Sequence, residues 1–120
     1  MTATTDELGR RGEDLAVGFL ERQGLVVISR NWRCREGEID VVATDGIDQV
    51  VFCEVKTRSG TGFGTPAESV TPDKRRRLRR LAQLYLSQHV DRWVRVRFDV
   101  VAVLCRPGVP PTVEHVRAAF

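Results

Sequence analysis

The clearest hydrophobic pattern of the chain lies near its middle, where two strand-like segments, residues 37–43 and 50–56, flank a short polar break. Apolar residues dominate both segments, as is typical of buried β-strands. The break contains Asp45-Gly46, a pair that tight turns favour because glycine accepts a positive φ. The two segments therefore predict a β-hairpin.

The register of this hairpin decides which charged side chains meet. If its centre of symmetry falls at Ile47, Asp40 lies opposite Glu54 and Glu38 lies opposite Lys56. Side chains alternate between the two faces of a strand, so Glu54 and Lys56 share a face, and in this register Asp40 joins them. Three charges then converge at one end of the hairpin.

The surroundings of these charges are apolar on both faces of the hairpin. The face of Asp40 continues with Val42, Val50 and Phe52, and the other face carries Ile39, Val41, Ala43, Val51, Cys53 and Val55. Strands that are apolar on both faces are usually buried in a layered α/β domain, where two adjacent carboxylates cost free energy unless a cation neutralises them. This pattern indicates a metal ion. The alternative is a cross-strand salt bridge at an exposed edge, in which Lys56 pairs with one of the carboxylates.

Residues 5–23 have the 3.6-residue periodicity of an amphipathic helix, and Gly24 supplies a stop. The buried side of this helix carries Ala16, Val17 and Leu20. Glu13 lies three, four and seven positions before them and therefore shares their side of the helix. Either this carboxylate is aimed at the core, or it is a boundary residue that reaches solvent or pairs with Arg10 or Arg11.

Further strand-like segments flank the hairpin and close the chain. Residues 25–28 predict a first strand, and residues 29–35 lead from it into the hairpin. Trp32 in this connection either closes the core or stacks on a base. Residues 94–104 alternate strictly and predict another strand, and residues 112–117 predict a short edge strand after a proline-rich break.

A second helix, residues 72–89, follows a glycine-rich loop over residues 58–66 that we expect to be mobile beside the charged end of the hairpin. Thr71 caps this helix and Pro72 occupies its first position. Its core positions are Leu78, Leu81, Ala82 and Tyr85, and its first two turns hold Lys74, Arg75, Arg76, Arg77, Arg79 and Arg80. Like charges at this density destabilise an isolated helix, so contact with phosphates explains them better than solubility does. The alternative is a solvated basic face.

Length and composition fit one soluble domain. A chain of 120 residues and 13.5 kDa can build a core without disulfides or structural zinc, so we expect one domain over residues 1–120 with its core at about 5–106. No long apolar run or signal-peptide pattern is present, which predicts a cytoplasmic protein without a membrane contact. Cys34, Cys53 and Cys105 lack metal-ligand spacing, and we expect the last two to be small core residues.

The charge of the chain is distributed unevenly. Residues 1–54 carry 6 basic and 11 acidic side chains, whereas residues 55–120 carry 13 basic and 5 acidic ones, so the two parts have net charges of −5 and +8. Such asymmetry predicts a cationic surface that faces an anionic partner. Nucleic acid is the obvious candidate.

The order of helix, strand, hairpin, basic helix and strand carries two motifs, Gly-Glu-Ile-Asp at residues 37–40 and Phe-Cys-Glu-Val-Lys-Thr-Arg at residues 52–58. Together with the upstream helical Glu13, these motifs resemble the PD-(D/E)XK nuclease superfamily. More specifically, the chain is similar to the YraN-like uncharacterised protein family, which is related to archaeal Holliday-junction resolvases. The likeness covers residues 9–104. One departure is that Ile39, and not proline, precedes the aspartate, and proline supplies no ligand.

This resemblance implies an α/β fold with a restriction-endonuclease-like central mixed β-sheet flanked by helices. It implies Mg²⁺ or Mn²⁺ as the cofactor, held by Glu13, Asp40 and Glu54, with Lys56 as the catalytic lysine. The implied activity is metal-assisted hydrolysis of phosphodiester bonds in nucleic acid, with DNA favoured over RNA. The basic helix and Arg58 would hold the nucleic-acid strand.

Two other functions compete with the nuclease. One is a non-catalytic nucleic-acid-binding module that keeps the fold, and the other is an interaction protein whose basic helix docks an acidic protein. Retention of all four implied site residues favours the enzyme. Resemblance to the resolvases also implies a homodimer with two sites that cut two strands. We expect its surface at the apolar end of the second helix, which carries Leu84, Tyr85 and Leu86.

Overall fold

The hairpin lies at the centre of a five-stranded sheet that has one helix on each face. The computed structural model describes residues 5–60 and 65–120. Its elements are α1 (Thr5–Arg22), β1 (Val26–Cys34), β2 (Gly37–Thr44), β3 (Gln49–Arg58), a 3₁₀ turn (Ala67–Ser69), α2 (Pro72–His89), β4 (Arg95–Leu104) and β5 (Thr112–Val116). The strand order is β1-β2-β3-β4-β5, with β3 and β4 parallel and the other neighbours antiparallel. This mixed sheet flanked by helices is the predicted α/β class and is consistent with a restriction-endonuclease-like fold.

The predicted hairpin register is confirmed over the four residue pairs that run from Val41 and Cys53 to Thr44 and Val50. The turn is fixed by Asp45, whose Oδ1 accepts hydrogen bonds from the backbone nitrogens of Ile47, Asp48 and Gln49. Gly46 has a φ of +81°, the conformation for which the Asp-Gly pair was expected.

Two apolar layers cover the two faces of the sheet. The layer under α1 contains Ala16, Val17, Leu20, Val41, Ala43, Val51, Cys53, Val101, Val103 and Cys105. The layer under α2 contains Ile39, Val42, Val50, Phe52, Val70, Leu78, Leu81, Ala82, Tyr85 and Val100. Cys53 and Cys105 are therefore core residues, as predicted. The two layers fix the distance of each helix from the hairpin.

The predicted face of Ile39 is wrong. Ile39 was expected beside Val41, but it packs under α2 together with Val42, three positions away. Alternation between the faces is therefore interrupted at Asp40 and Val41. On the neighbouring strand the residue between the paired positions is Asn31, whose φ of +52° lies in the left-handed region. This local break in the pleat redirects the side chains on both strands.

Strand β1 is longer than predicted. Residues 29–35 were expected to be a connection, but the strand continues to Cys34 and pairs with β2 along most of its length. Because β1 is an edge strand with a polar outer side, its arginines obscure the alternation that would reveal it. Trp32 closes the core as expected, with its ring 5.5 Å from that of Tyr85 in an edge-to-face contact.

Helix α2 follows its sequence signals closely. Thr71 caps it by accepting a hydrogen bond of 3.2 Å from the backbone nitrogen of Lys74, and Pro72 begins the helix. Its buried residues are the predicted Leu78, Leu81, Ala82 and Tyr85. Tyr85 is 5% exposed, and Leu86 also packs against the core. The core of this chain therefore uses Tyr85 and Leu86, two of the three residues expected at a dimer surface, whereas Leu84 belongs to neither apolar layer, and the dimer itself stays a prediction.

A glycine brings α1 into direct contact with β3. A side chain at Gly12 would place its Cβ 2.8 Å from Cβ of Thr57, and closer still to Oγ1 of that residue. Gly12 therefore lets the helix approach the strand more closely than any other residue would. The next residue, Glu13, is held beside the end of β3 that follows Glu54.

Asp99 anchors the last described residues to the sheet. Its side chain is fully buried and accepts two hydrogen bonds from Arg97, at 2.9 and 2.8 Å, and one of 3.0 Å from the backbone nitrogen of Ala118. Nε2 of His115 lies 2.7 Å from Oδ2 of Asp99. Burial alone would raise the pKa of Asp99, but the hydrogen bonds from His115 and Arg97 outweigh it and lower that pKa. The chain then turns so that Phe120 stacks on Phe98.

Two further expectations concern the surroundings of the domain. Within the described residues, no helix is both long and apolar enough to cross a lipid bilayer. The glycine-rich loop was predicted over residues 58–66, and residues 61–64 of that loop lie outside the described part of the chain.

Candidate active site

Strands β2 and β3 separate at the end of the hairpin that carries the acidic residues. The last backbone pair of their ladder is Val41 with Cys53. Beyond it, Oδ2 of Asp40 accepts a hydrogen bond of 2.8 Å from the backbone nitrogen of Val55. A side chain therefore fills the place of a backbone acceptor, and this holds the Asp40 carboxyl group between the two strands.

A cleft of about 570 Å³ opens on the α1 side of this separation. Its walls are Asp6, Leu8, Gly9, Arg10, Glu13, Asn31, Arg33, Glu38, Asp40, Val55 and Thr57. Two of the predicted metal ligands, Glu13 and Asp40, thus face one cavity of a size that is usual for ligand sites. Asp40 was expected on the same face as Glu54 and Lys56, whereas it borders the cleft from the gap between the strands.

Glu13 points toward the sheet and has partners on β1. Its Oε1 accepts hydrogen bonds from Nε of Arg30 at 2.9 Å and from Nδ2 of Asn31 at 2.8 Å. The side chain is 14% exposed. Arg30 also donates to Asp14 at 2.6 Å. Glu13 was expected to pair with Arg10 or Arg11 if it did not face the core. The partners that the structure shows for it are instead 17 and 18 positions away in sequence.

Glu54 and Lys56 share a face of β3, as predicted. Nζ of Lys56 lies 3.2 Å from Oε1 of Glu54, and Nζ of Lys74 lies 2.5 Å from the same oxygen. Glu54 is buried, with 6% of its side chain exposed. Lys74 reaches it from the first turn of α2, so the beginning of the basic helix is part of the candidate site.

The pKa values of Asp40, Lys56 and Lys74 are shifted, because these groups are partly buried and lie close to other charges. Burial and the negative charge of Glu54 raise the pKa of Asp40 to about 7, against an ordinary value of 3.8. Burial lowers the pKa of Lys56, and the neighbouring Lys74 lowers it further. Burial would also lower the pKa of Lys74, but the interactions with Glu54, Lys56 and Asp40 together outweigh it and raise that pKa. Asp40, Glu54 and the two lysines therefore form one electrostatic unit.

The predicted metal ligands are brought near one another but not into one coordination shell. Glu13 and Asp40 line the cleft, and Asp40 interacts electrostatically with Glu54 on the other side of the strand separation. Across residues 5–60 and 65–120, no three acidic, histidine or cysteine side chains stand close enough together to hold a metal ion. In this arrangement the lysines, and not a third carboxylate, surround Glu54.

The predicted phosphate-binding residues lie at several angles around α2. Arg76 pairs with Asp73, and Arg80 lies 3.8 Å from Glu36. The guanidinium carbons of Arg75 and Arg79 lie 5.5 and 5.4 Å from the centre of the Phe120 ring. The side chain of Arg77 lies close to Gly37, and Arg58 donates to the backbone oxygen of Thr57 at 3.3 Å. Lys74 contacts Glu54.

Three contributions were not anticipated from the sequence. Arg30 and Asn31 position Glu13, and Lys74 joins Glu54 instead of facing outward with the other basic residues of α2. One signal was available for Lys74, because it and Lys56 are the only lysines in a chain that otherwise uses arginine.

Comparison with known proteins places the chain in a family. A family model described as "Uncharacterised protein family UPF0102" matches residues 12–103. The chain is 54% identical over 113 residues to a "UPF0102 protein" of Rhodococcus opacus, covering 94% of this chain and 95% of the relative. It is 53% identical over 130 aligned positions to one of Acidothermus cellulolyticus, covering 99% and 98% of the two chains. A "UPF0102 protein" of Nocardia farcinica is 52% identical, with 94% and 88% covered. The chain therefore belongs to the UPF0102 family of uncharacterised proteins.

Proposed function

We propose that this protein is a metal-dependent endonuclease that hydrolyses phosphodiester bonds in nucleic acid, with DNA favoured over RNA and branched DNA as the substrate to test first. The observation that carries the proposal is the pairing of Asp40 with Glu54 at the end of the central hairpin. Burial and the negative charge of Glu54 on the adjacent strand raise the pKa of Asp40 to about 7, and two lysines flank Glu54. Strongly shifted pKa values of this kind are typical of functional sites.

The donor chemistry of these residues fits a hard divalent cation. Mg²⁺ and Mn²⁺ prefer carboxylate and water oxygens. A cation beside Asp40 and Glu54 would offset both the burial of Asp40 and its repulsion by Glu54, which raise the pKa of Asp40. Glu13 lines the same cleft as Asp40 and would be the third ligand. Its present partners, Arg30 and Asn31, keep it oriented toward the sheet.

When bound, the cation would polarise the phosphate and lower the pKa of an attacking water. Lys56, 3.2 Å from Glu54, would orient that water and donate to the charge that develops on the phosphate oxygens. The water oxygen forms a bond to phosphorus, and the bond to the leaving ester oxygen breaks. The leaving oxygen takes up a proton, so the products are a phosphate monoester and a free hydroxyl group.

The basic residues of α2 support nucleic acid as the substrate. Arg76 and Arg80 have 69% and 59% of their side chains exposed and lie in the first turns of the helix whose Lys74 contacts Glu54. A phosphodiester backbone that crosses this helix would pass the candidate site. Lys and Arg contacts to phosphates bind without regard to sequence, as a nuclease that recognises shape requires.

A non-catalytic nucleic-acid-binding module is the second candidate. Two observations favour it. Glu13 already accepts hydrogen bonds from Arg30 and Asn31, and within the described ranges no three ligand side chains lie close enough together to hold one metal ion. In that case the acids and lysines would act as ion pairs that stabilise the fold. Binding of nucleic acid with no cleavage in the presence of Mn²⁺ distinguishes this candidate.

A homodimer is part of the proposal if the substrate is branched. Two strands of a junction need two cuts, and one chain offers one pair Asp40 and Glu54, so a symmetric partner would supply the second site. Sedimentation with and without a four-way junction tests this. A monomer under both conditions would limit the proposal to a nicking enzyme.

Calorimetric titration with Mn²⁺ tests the cation site. Wild-type protein should bind Mn²⁺. Asp40→Asn should bind it at least tenfold more weakly, because it loses one charged ligand, a change in affinity on the order of one log unit or more. Asp48→Asn is the matched control, since Asp48 pairs with Arg95 at the opposite end of the sheet. Equal affinity in wild type and Asp40→Asn would contradict the assignment.

A further inference from the structure

The two lysines of this chain are used in one place. Among 19 lysine and arginine residues, only Lys56 and Lys74 are lysines, and their Nζ atoms lie 3.2 and 2.5 Å from one oxygen, Oε1 of Glu54. Arginine carries the same charge, so charge alone does not explain this choice. A lysine ammonium is a compact group on a flexible stem, whereas a guanidinium is a planar fork. Two ammonium groups can therefore share one carboxylate oxygen and still change partners.

The two lysines differ in how firmly the fold holds them. Lys56 lies on β3, two residues after Glu54, and 18% of its side chain is exposed. Lys74 reaches the same oxygen from α2 and is 35% exposed. Its stem therefore extends from the basic helix into the site, where it can turn toward the carboxylate or toward solvent. Lys56 has less freedom, because more of its side chain is buried.

Charge balance shows what a bound cation would require. When Asp40 and Glu54 are ionised, Lys56 and Lys74 already compensate their two charges. The third proposed ligand, Glu13, is already compensated by Arg30. A divalent cation that joined Asp40, Glu54 and the two lysines would therefore leave two excess positive charges in a partly buried place, which costs free energy. One ammonium group must therefore withdraw or find a new anion. Lys74 is the mobile one, and a phosphodiester is the anion that its helix is placed to bind.

We propose that Lys74 is a positioning residue that exchanges partners during substrate binding. It holds Glu54 in the free protein, gives up that carboxylate to the divalent cation, and then contacts the phosphate of the nucleic acid. The inference rests on the proposed function and deepens it, because it names the group that couples the two binding events. Cation and nucleic acid should consequently bind cooperatively, each strengthening the binding of the other.

Calorimetric titration of Mn²⁺ in the absence of nucleic acid tests this exchange. Lys74→Met should bind Mn²⁺ on the order of tenfold more tightly than wild type, because the competing ammonium group is gone and a like charge at this distance is worth one log unit or more. Lys74→Arg keeps the competing positive charge, although in a planar group, and should therefore not bind Mn²⁺ more tightly than wild type. Arg95→Met, at the opposite end of the sheet, is the control and should leave the affinity unchanged. Thermal unfolding checks that each variant is folded.

A second measurement tests whether Lys74 contacts a phosphate of the nucleic acid. In the presence of Mn²⁺, Lys74→Met should bind a duplex with a salt dependence that is flatter by roughly 0.9 in log K against log salt, the value for one lost contact. If wild type binds Mn²⁺ and Lys74→Met binds it no more tightly, the exchange is overturned while the proposed cation site stands. If neither protein binds Mn²⁺, the proposed function fails and this inference fails with it.

Discussion

Oδ2 of Asp40 accepts a hydrogen bond of 2.8 Å from the backbone nitrogen of Val55, at the point where β2 and β3 cease to pair. A longer ladder would give this N–H to a backbone carbonyl. Because the carboxyl group takes that place, the geometry of the hairpin itself sets how close Asp40 lies to Glu54. The acidic pair is thus built into the central sheet and does not depend on a loop.

The raised pKa of Asp40 makes the stability of the metal-free protein depend on pH. Burial, Glu54 and Glu38 raise this pKa, whereas the hydrogen bond from Val55 and the charge of Lys74 lower it. Glu13 lines the same cleft. The folded-state pKa of about 7 lies above the ordinary value of 3.8, so between these values the folded protein keeps a proton that the unfolded chain releases. The contribution of Asp40 is therefore fully present below about pH 4 and is lost as the pH rises through about 7.

Asp40→Asn should remove most of this dependence, because an amide does not ionise. Above the pKa of Asp40, the variant should be more stable than wild type by on the order of 1–3 kcal/mol. Urea unfolding at a series of pH values, with metal removed, measures the free energy of unfolding. Asp48→Asn is the control and should keep the wild-type profile. Parallel profiles for Asp40→Asn and wild type would show that Asp40 titrates normally.

Gly12→Ala should destabilise the protein although alanine favours helices. The new Cβ would overlap Thr57 of β3, so α1 must move away, at a cost of about 1–3 kcal/mol. Gly9→Ala is the matched control, because nothing lies within 4 Å of a Cβ at that position of the same helix. It should stabilise the protein by up to about 1 kcal/mol. Denaturant unfolding compares the two, and equal effects would contradict the close packing at Gly12.

Movement of α1 should also weaken the cation site, because Glu13 directly follows Gly12. The affinity for Mn²⁺ should therefore fall in Gly12→Ala and remain unchanged in Gly9→Ala. A loss of stability without a loss of affinity would remove Glu13 from the ligand set.

Asp99→Asn should cost about 3–5 kcal/mol at neutral pH, because it leaves the Arg97 charge without its partner in a part-buried network. The pKa of Asp99 is lowered, so its contribution is present above the ordinary value and is lost as the pH falls through the lower folded-state value. The difference from wild type should therefore shrink in strong acid. Urea unfolding at neutral and acidic pH measures it, with the exposed Asp91→Asn as control. If Asp99→Asn were as stable as wild type at neutral pH, the role of Asp99 as an anchor would be contradicted.

The basic face of α2 should govern how binding responds to salt. Replacing Arg76 and Arg80 with glutamine should flatten the plot of log K against log salt by roughly 0.9 for each lost duplex contact. Arg95→Gln, at the opposite end of the sheet, should leave the slope unchanged. Fluorescence anisotropy with a labelled duplex gives the slopes. A slope that is the same in all three proteins would mean that α2 is a solvated surface.

The hairpin and its register could be predicted because their signals are local. Asp45-Gly46 sets the turn, and period-two alternation fixes which residues pair, so Val41 and Cys53 were placed correctly. The same rule failed at Ile39, since the break in the pleat depends on the backbone of Asn31 in another strand. Alternation within one segment carries no information about such a break.

The partners of the candidate site residues could not be predicted, because they depend on tertiary packing. Glu13 meets Arg30 only because α1 lies across β1, and Lys74 meets Glu54 only because α2 begins over β3. Sequence periodicity gives the side of a helix that is buried, but not the residue on the other element that it meets. The helical pattern placed Lys74 among the surface arginines. Its residue type, shared only with Lys56, was the signal that set it apart from them.

Cleavage of nucleic acid tests the proposed nuclease activity itself. Purified protein with Mn²⁺ is incubated with end-labelled linear, flapped and four-way-junction DNA and the matching RNAs, beside Glu54→Gln and Lys56→Met, with Asp48→Asn as the control. Wild type and Asp48→Asn should produce phosphate monoester ends that disappear when the cation is chelated, and both site variants should lose at least 100-fold in rate, the scale of one lost catalytic group. Tight binding of these substrates without cleavage, or cleavage that survives in Glu54→Gln and Lys56→Met, would contradict it.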